Sequence, residues 1–252
     1  MKTKILKSML LVAAAIVLVI ASVLGTMAYL TSTSAVSNVF TVGEVKLQMF
    51  ETKVKPDGTP EVIIPDGEMK NTDTNSYHLI PGSTYTKDPT IYVDGSSVPS
   101  YLFVRVRNDI KALEYDDAHD DPNRPTIVEQ MRELGWLEIE RAATNVDAVF
   151  VYVGEPVAAG VTLEDFVNSG KKVPSVGGSG SREDYDVFHE FSIRSGTDVS
   201  GMLPAYGGAR VAIVAYAIQT IIEDYSDPAE VGTAEAVRAA WEYIKQELPF
   251  VV

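Results

Sequence analysis

Apolar residues along this chain fall mainly into period-two patterns, the spacing that turns alternate side chains to opposite faces of a strand. Residues 100–107 show it most cleanly. Leu102, Val104 and Val106 face one way and Tyr101, Phe103, Arg105 and Arg107 the other, which predicts a half-buried antiparallel strand. Residues 38–54 (Val42, Val45, Leu47 and Met49) and 185–194 (Val187, Phe188, Phe191 and Ile193) predict two more strands. Residues 90–93 give a short one, and 136–140 with 148–153 predict a pair in which Val149, Val151 and Val153 oppose Phe150 and Tyr152. Residues 209–222 are the longest apolar run outside the N-terminal leader. The run is too short to cross a membrane as a helix and is filled with β-branched residues. It predicts a central strand with Val211, Ile213, Ala215 and Ala217 on one buried face.

Turn and cap chemistry divides these strands. Pro-Asp-Gly turns at 56–58 and 65–67 bracket Glu61-Val62-Ile63-Ile64, a hairpin excursion, and residues 71–76 form a polar loop. Pro81-Gly82 is a further turn. Thr126 with Glu129 is a capping box for a short helix carrying Ile127, Met131 and Leu134 on one face and ended by Gly135. Residues 162–165 start one helical turn, and 169–184, rich in Gly and Ser, read as a mobile loop. Residues 233–248 form a C-terminal helix with an apolar stripe of Val237, Ala240, Trp241, Ile244 and Leu248. Either Asp227-Pro228 or Gly232-Thr233 opens it. The pattern gives an all-β fold with minor helices, an antiparallel β-sandwich with a C-terminal helix, as a single domain over 38–252.

The leader, 1–28, differs. Lys2, Lys4 and Lys7 precede an apolar run over 9–24, and Thr26-Met27-Ala28 places small residues before a cut between Ala28 and Tyr29. An uncleaved membrane anchor is the alternative. The chain's net charge is −14; without the leader's three lysines, 18 of the 21 Lys and Arg face 35 Asp and Glu, a net charge of −17. Such a chain repels nucleic acid and anionic lipid, so membrane contact is expected only through the leader. With no cysteine, disulfides and thiolate chemistry are excluded.

Three stretches carry a family resemblance. The first is the leader ending in Ala28-Tyr29, a Thr/Ser-rich run, then Asn38-Val39-Phe40-Thr41-Val42-Gly43 and Glu44-Val45-Lys46-Leu47. The second is Leu79-Ile80-Pro81-Gly82-Ser83 followed by Lys87-Asp88-Pro89-Thr90-Ile91, and the third Val211-Ala212-Ile213-Val214-Ala215-Tyr216-Ala217-Ile218-Gln219. In this order they resemble the TasA/camelysin family of secreted proteins, whose leaders are cut by the SipW-type signal peptidase. The resemblance implies a jelly roll, export to the extracellular matrix or cell surface, and self-assembly into biofilm-matrix fibres by donated N-terminal strands.

Candidate chemistry is thin. Asp116, Asp117, His119, Asp120 and Asp121 form an oxygen-rich loop of the kind that suits Ca²⁺, without the EF-hand spacing. Camelysin-like members are grouped with metallopeptidases, yet His78, His119 and His189 lack the paired-His helix of a zinc peptidase. Neither Ser195-Gly196 nor Gly177-Gly178-Ser179-Gly180 completes a nucleophile elbow or phosphate loop. Tyr101, Phe103, Phe150 and Tyr152 read as core or cross-strand pairs. No catalytic residue and no cofactor is assigned.

The segment 29–37 carries the functional expectation. It is uncharged, and Thr31, Thr33 and Val36 favour extension. An isolated strand leaves its backbone unpaired, so Tyr29, Leu30, Thr31, Thr33 and Val36 are expected to add to a sheet edge of their own domain or of a neighbour. The reading is a secreted, self-assembling structural protein. A metal-dependent surface peptidase and a monomeric surface-binding module are the alternatives.

Overall fold

In the computed structural model, residues 31–34, 45–60, 75–115, 121, 123–144, 146–220, 227 and 229–247 are described, with 31–34 and 247 as backbone only. Among them are ten strands, every pairing antiparallel, and four α-helices. The strands are β1 (Thr31–Ser34), β2 (Leu47–Phe50), β3 (Thr84–Thr86), β4 (Thr90–Val93), β5 (Ser100–Asn108), β6 (Trp136–Arg141), β7 (Asp147–Tyr152), β8 (Glu183–Asp186), β9 (Glu190–Ser192) and β10 (Val211–Gln219). The helices are α1 (Ile127–Glu133), α2 (Leu163–Asn168), α3 (Thr197–Met202) and α4 (Ala234–Glu247). Three sheets result, ordered β1-β10-β5-β7-β6, β2-β4-β8 and β3-β9. Residues 1–28, the 61–64 excursion and Leu248 lie outside the described residues. Among those described, no helix is long and apolar enough to cross a membrane.

β5 is the middle strand of the larger sheet, and its alternation is as expected, but its burial is not. Leu102, Val104 and Val106 are buried on one face, and Tyr101 and Phe103 are buried on the other. The reason is α4. Its stripe of Val237, Ala240, Trp241 and Ile244 lies over that second face, with Trp241 5.5 Å from the Phe103 ring and 5.8 Å from Tyr216. Only beyond the helix does the face turn polar. There Arg105 makes a two-pronged ion pair with Asp147 at 2.8 and 2.9 Å. The first face joins Ile213, Ala215, Ala217 and Phe150 to Leu47, Met49, Ile91 and Val93 of the three-stranded sheet and to Tyr85 and Phe191 of the two-stranded one.

β10 is an interior strand, one place from the middle. Its buried face is the expected one, though Val211 at the sheet's end is half-buried. The expected single strand over 185–194 is two strands in different sheets. Val187 and Phe188, both buried, lie between the two strands, where the chain passes from one sheet to the other. The Gln130 side chain of α1 spans the break. Its Nε2 donates to Glu190 O at 2.8 Å, and its Oε1 accepts from His189 N and Glu190 N.

Thr126 and Glu129 form the expected capping box, and Thr162, where a helical turn was expected to start, forms a second one with Asp165. Gly135, at φ 87°, ends α1. For α4 the opening residue is Thr233, whose Oγ1 accepts from Ala236 N at 3.3 Å. The 169–184 loop is tied down: Val173 and Val176 are buried, and Val176 exchanges backbone hydrogen bonds of 2.8 and 2.9 Å with Ser100.

Candidate assembly edge and adjoining cavity

An open sheet edge is a template for another chain, so edges that are not blunted mark where association is chemically permitted. The two edges of the five-stranded sheet differ. At β6, a register shift between Glu138 and Glu140 bends the strand. There Glu138 pairs with Arg141, while Glu140 accepts from Trp241 Nε1 at 2.9 Å and Lys245 Nζ at 3.0 Å. Charge and a helix therefore guard that edge. β8, the outer strand of the three-stranded sheet, carries Glu183, Asp184 and Asp186.

β1 is the other edge of the large sheet and has no charge at all, reading Thr-Ser-Thr-Ser. It pairs antiparallel with β10 in the register Thr31↔Ile218, Ser32↔Ala217, Thr33↔Tyr216 and Ser34↔Ala215. The other half of β10, from Val211 to Val214, has β5 on one side and no strand partner on the β1 side among the described residues. Thr31 and Thr33 thus sit in a strand, on the chain's own sheet. Ala28, Tyr29, Leu30 and Val36 lie outside the described residues.

Beside that half of β10 is a cavity of about 890 Å³, bounded by the end of β2, residues 75–79 and residues 206–213. Its polar wall is one network. Glu51 Oε2 accepts from Lys87 Nζ at 2.8 Å, and Glu51 Oε1 accepts from Asn75 Nδ2 at 2.7 Å and Tyr77 OH at 3.2 Å. The pair is largely shielded, with Lys87 8% and Glu51 16% exposed in their side chains. Burial, with the Glu51 charge adding to it, pushes the Tyr77 hydroxyl well above its ordinary value, so it stays a donor. Arg210 lines the same cavity, is exposed, and its guanidinium has no ion pair among the described residues. Sequence patterning did not single out this network. Glu51 directly follows β2 and Lys87 directly follows β3, and nothing local shows that they meet.

A second buried polar site lies at the start of α1. Glu114 accepts from Asn108 Nδ2 at 2.6 Å and from Ile127 N at 2.9 Å. Burial outweighs both bonds and pushes its carboxyl up to about 7.

Of the acidic loop, Asp116, Asp117, His119 and Asp120 lie outside the described residues. Asp121 Oδ1 accepts from Asn123 N at 3.1 Å, and its Oδ2 lies 3.7 Å from Arg124 Nε. His78 and His189 are exposed, and no group of three His, Cys, Asp or Glu suited to a metal occurs among the described residues. Compared with family models, curated proteins and solved structures, the chain matches none.

Proposed function

We propose that the chain is a secreted cell-surface or matrix structural protein that assembles with copies of itself by exchanging its N-terminal strand. One observation carries the reading. A four-residue, uncharged strand from the start of the chain occupies the unguarded edge of the large sheet, whereas β6 and β8 are guarded by charge. A short strand is held by few ladder bonds, so it can be released from its own sheet and replaced by the same strand of a neighbour. Repeated head to tail, that exchange builds an open filament.

The accompanying fold reading is a jelly-roll-like sandwich, with the five-stranded sheet as one layer and the two smaller sheets as the other. The apolar cluster shared by Val104, Ala215 and Phe150 with Leu47, Ile91 and Phe191 supports it. The resemblance to the TasA/camelysin family supports export, with signal peptidase cutting between Ala28 and Tyr29, and an extracellular location. No catalytic role is assigned.

Deleting residues 29–37 tests the reading. The truncated protein is expected to stay folded and soluble and to give no fibres by electron microscopy, under conditions where the mature chain forms them. Assembly of the truncated chain to the same extent overturns it. Chelator-sensitive proteolysis by the purified protein would favour the peptidase reading instead.

A further inference from the structure

The cavity beside β10 holds more donor capacity than its own residues use. Lys87 is nine-tenths buried, yet its ammonium, with three N–H donors, meets one acceptor among the described residues, Glu51 Oε2. Two donors remain on a group that water scarcely reaches. Arg210 adds a cation at the rim with no ion pair among the described residues. The one acid in the lining among the described residues, Glu51, already takes Lys87, Asn75 and Tyr77. In a chain of net charge −14, this cavity has cations to spare. The remaining walls are largely apolar, including Met49, Leu79, Phe191, Leu203 and Ile213. Its volume falls in the range that encloses a small ligand.

We propose that this cavity binds an amphipathic monocarboxylate, its carboxylate taken by Lys87 Nζ and the Arg210 guanidinium and its apolar body lying along Met49, Phe191 and Ile213. The site is separate from strand exchange and stands or falls independently of it. Charge complementarity chooses the carboxylate, because a neutral ligand would leave the Lys87 donors unmet. The apolar walls choose a carboxylate with a hydrocarbon or aromatic body over a free inorganic anion.

Titration calorimetry with decanoate, and with decanol as the uncharged control, tests this. Decanoate is expected to bind the mature protein, and decanol at least roughly tenfold more weakly, as expected for loss of a charge-assisted contact. Arg210→Ala, at an exposed rim position, is expected to weaken decanoate several-fold without moving the melting temperature. Lys87→Met alone would strand the Glu51 charge, so it is paired with Glu51→Gln. That double variant, shown to be folded by circular dichroism, is expected to abolish the preference for decanoate over decanol. Equal binding of decanoate and decanol, or unchanged affinity in both variants, overturns the proposal. A synthetic peptide of residues 29–38 that binds where decanoate does not also overturns it, and would make the cavity part of the strand-accepting surface.

Discussion

The Tyr101 hydroxyl accepts a hydrogen bond from Gly232 N at 2.7 Å, across 131 residues of sequence and with both groups buried. It fastens the middle strand of the large sheet to the residue that precedes Thr233, the cap of α4. Gly232 is held at φ 81°, and a Cβ there would lie 2.7 Å from Val173 O. One bond and one missing side chain thus fix where the helix starts and how it covers Phe103 and Tyr216.

Tyr101→Phe is therefore expected to leave a buried N–H without a partner, at a cost of about 1–3 kcal/mol. Gly232→Ala combines left-handed backbone strain with a backbone clash and is expected to cost at least as much. Urea unfolding of the two variants checks both. An unchanged midpoint for Tyr101→Phe would mean that the helix is not fastened there.

Ile213 is 8% exposed on the face of β10 that meets the smaller sheets, and its register partner is Val106. Ile213→Asp places an unpaired charge in that cluster. The expected loss is several kcal/mol, about the scale of a domain's whole stability. A variant melting within a few degrees of the parent would refute the facing of the strand.

Much of this was legible in the residues. Period two assigned both faces of β5 and the β6–β7 pair, and the Thr126–Glu129 capping box placed α1, because these signals are local. Burial of the second face of β5 was not legible. It depends on α4, more than 120 residues away, and Tyr101 and Phe103 read equally well as half-exposed. The break between β8 and β9 was not legible either, since adjacent buried residues such as Val187 and Phe188 also occur inside β5, where both faces are covered. The Glu51–Lys87 network and Glu114 left none, since a buried charge is set by tertiary packing and looks in sequence like any surface acid or lysine.

Glu114 makes stability depend on pH. Its carboxyl is raised from 4.5 to about 7 in the folded chain, so the folded state holds a proton that the unfolded state has lost between those values. Stability from this group is therefore greatest below pH 4.5, falls as pH rises through that window, and is level above about 7. Glu114→Gln removes the titration while keeping one of the two hydrogen bonds. The variant is expected to gain on the parent by on the order of 3 kcal/mol as pH goes from 4.5 to 8. Urea unfolding at both values measures it. A difference independent of pH would show that Glu114 is already ionised at acid pH.

The guard on β6 can be removed without opening the core. Glu138→Val with Arg141→Val deletes a partly exposed ion pair, at a cost of about 1 kcal/mol or less. It also leaves an apolar edge strand, which is expected to raise self-association in sedimentation velocity even in a chain lacking residues 29–37. Unchanged sedimentation would mean that the bulge and α4 protect this edge without the charges.

The strand-exchange reading is tested most directly by a covalent trap between two register partners. The chain has no cysteine, so Ser32→Cys and Ala217→Cys introduce the only thiols. Directly opposed residues of an antiparallel pair are close enough for a disulfide. Mature chains carrying one substitution each are mixed, allowed to assemble, oxidised and run on a denaturing gel without reductant. Exchange between copies predicts a disulfide dimer joining one chain of each kind, absent from the unassembled mixture. Assemblies that yield no such dimer, while the doubly substituted chain oxidises fully within itself, would contradict the account.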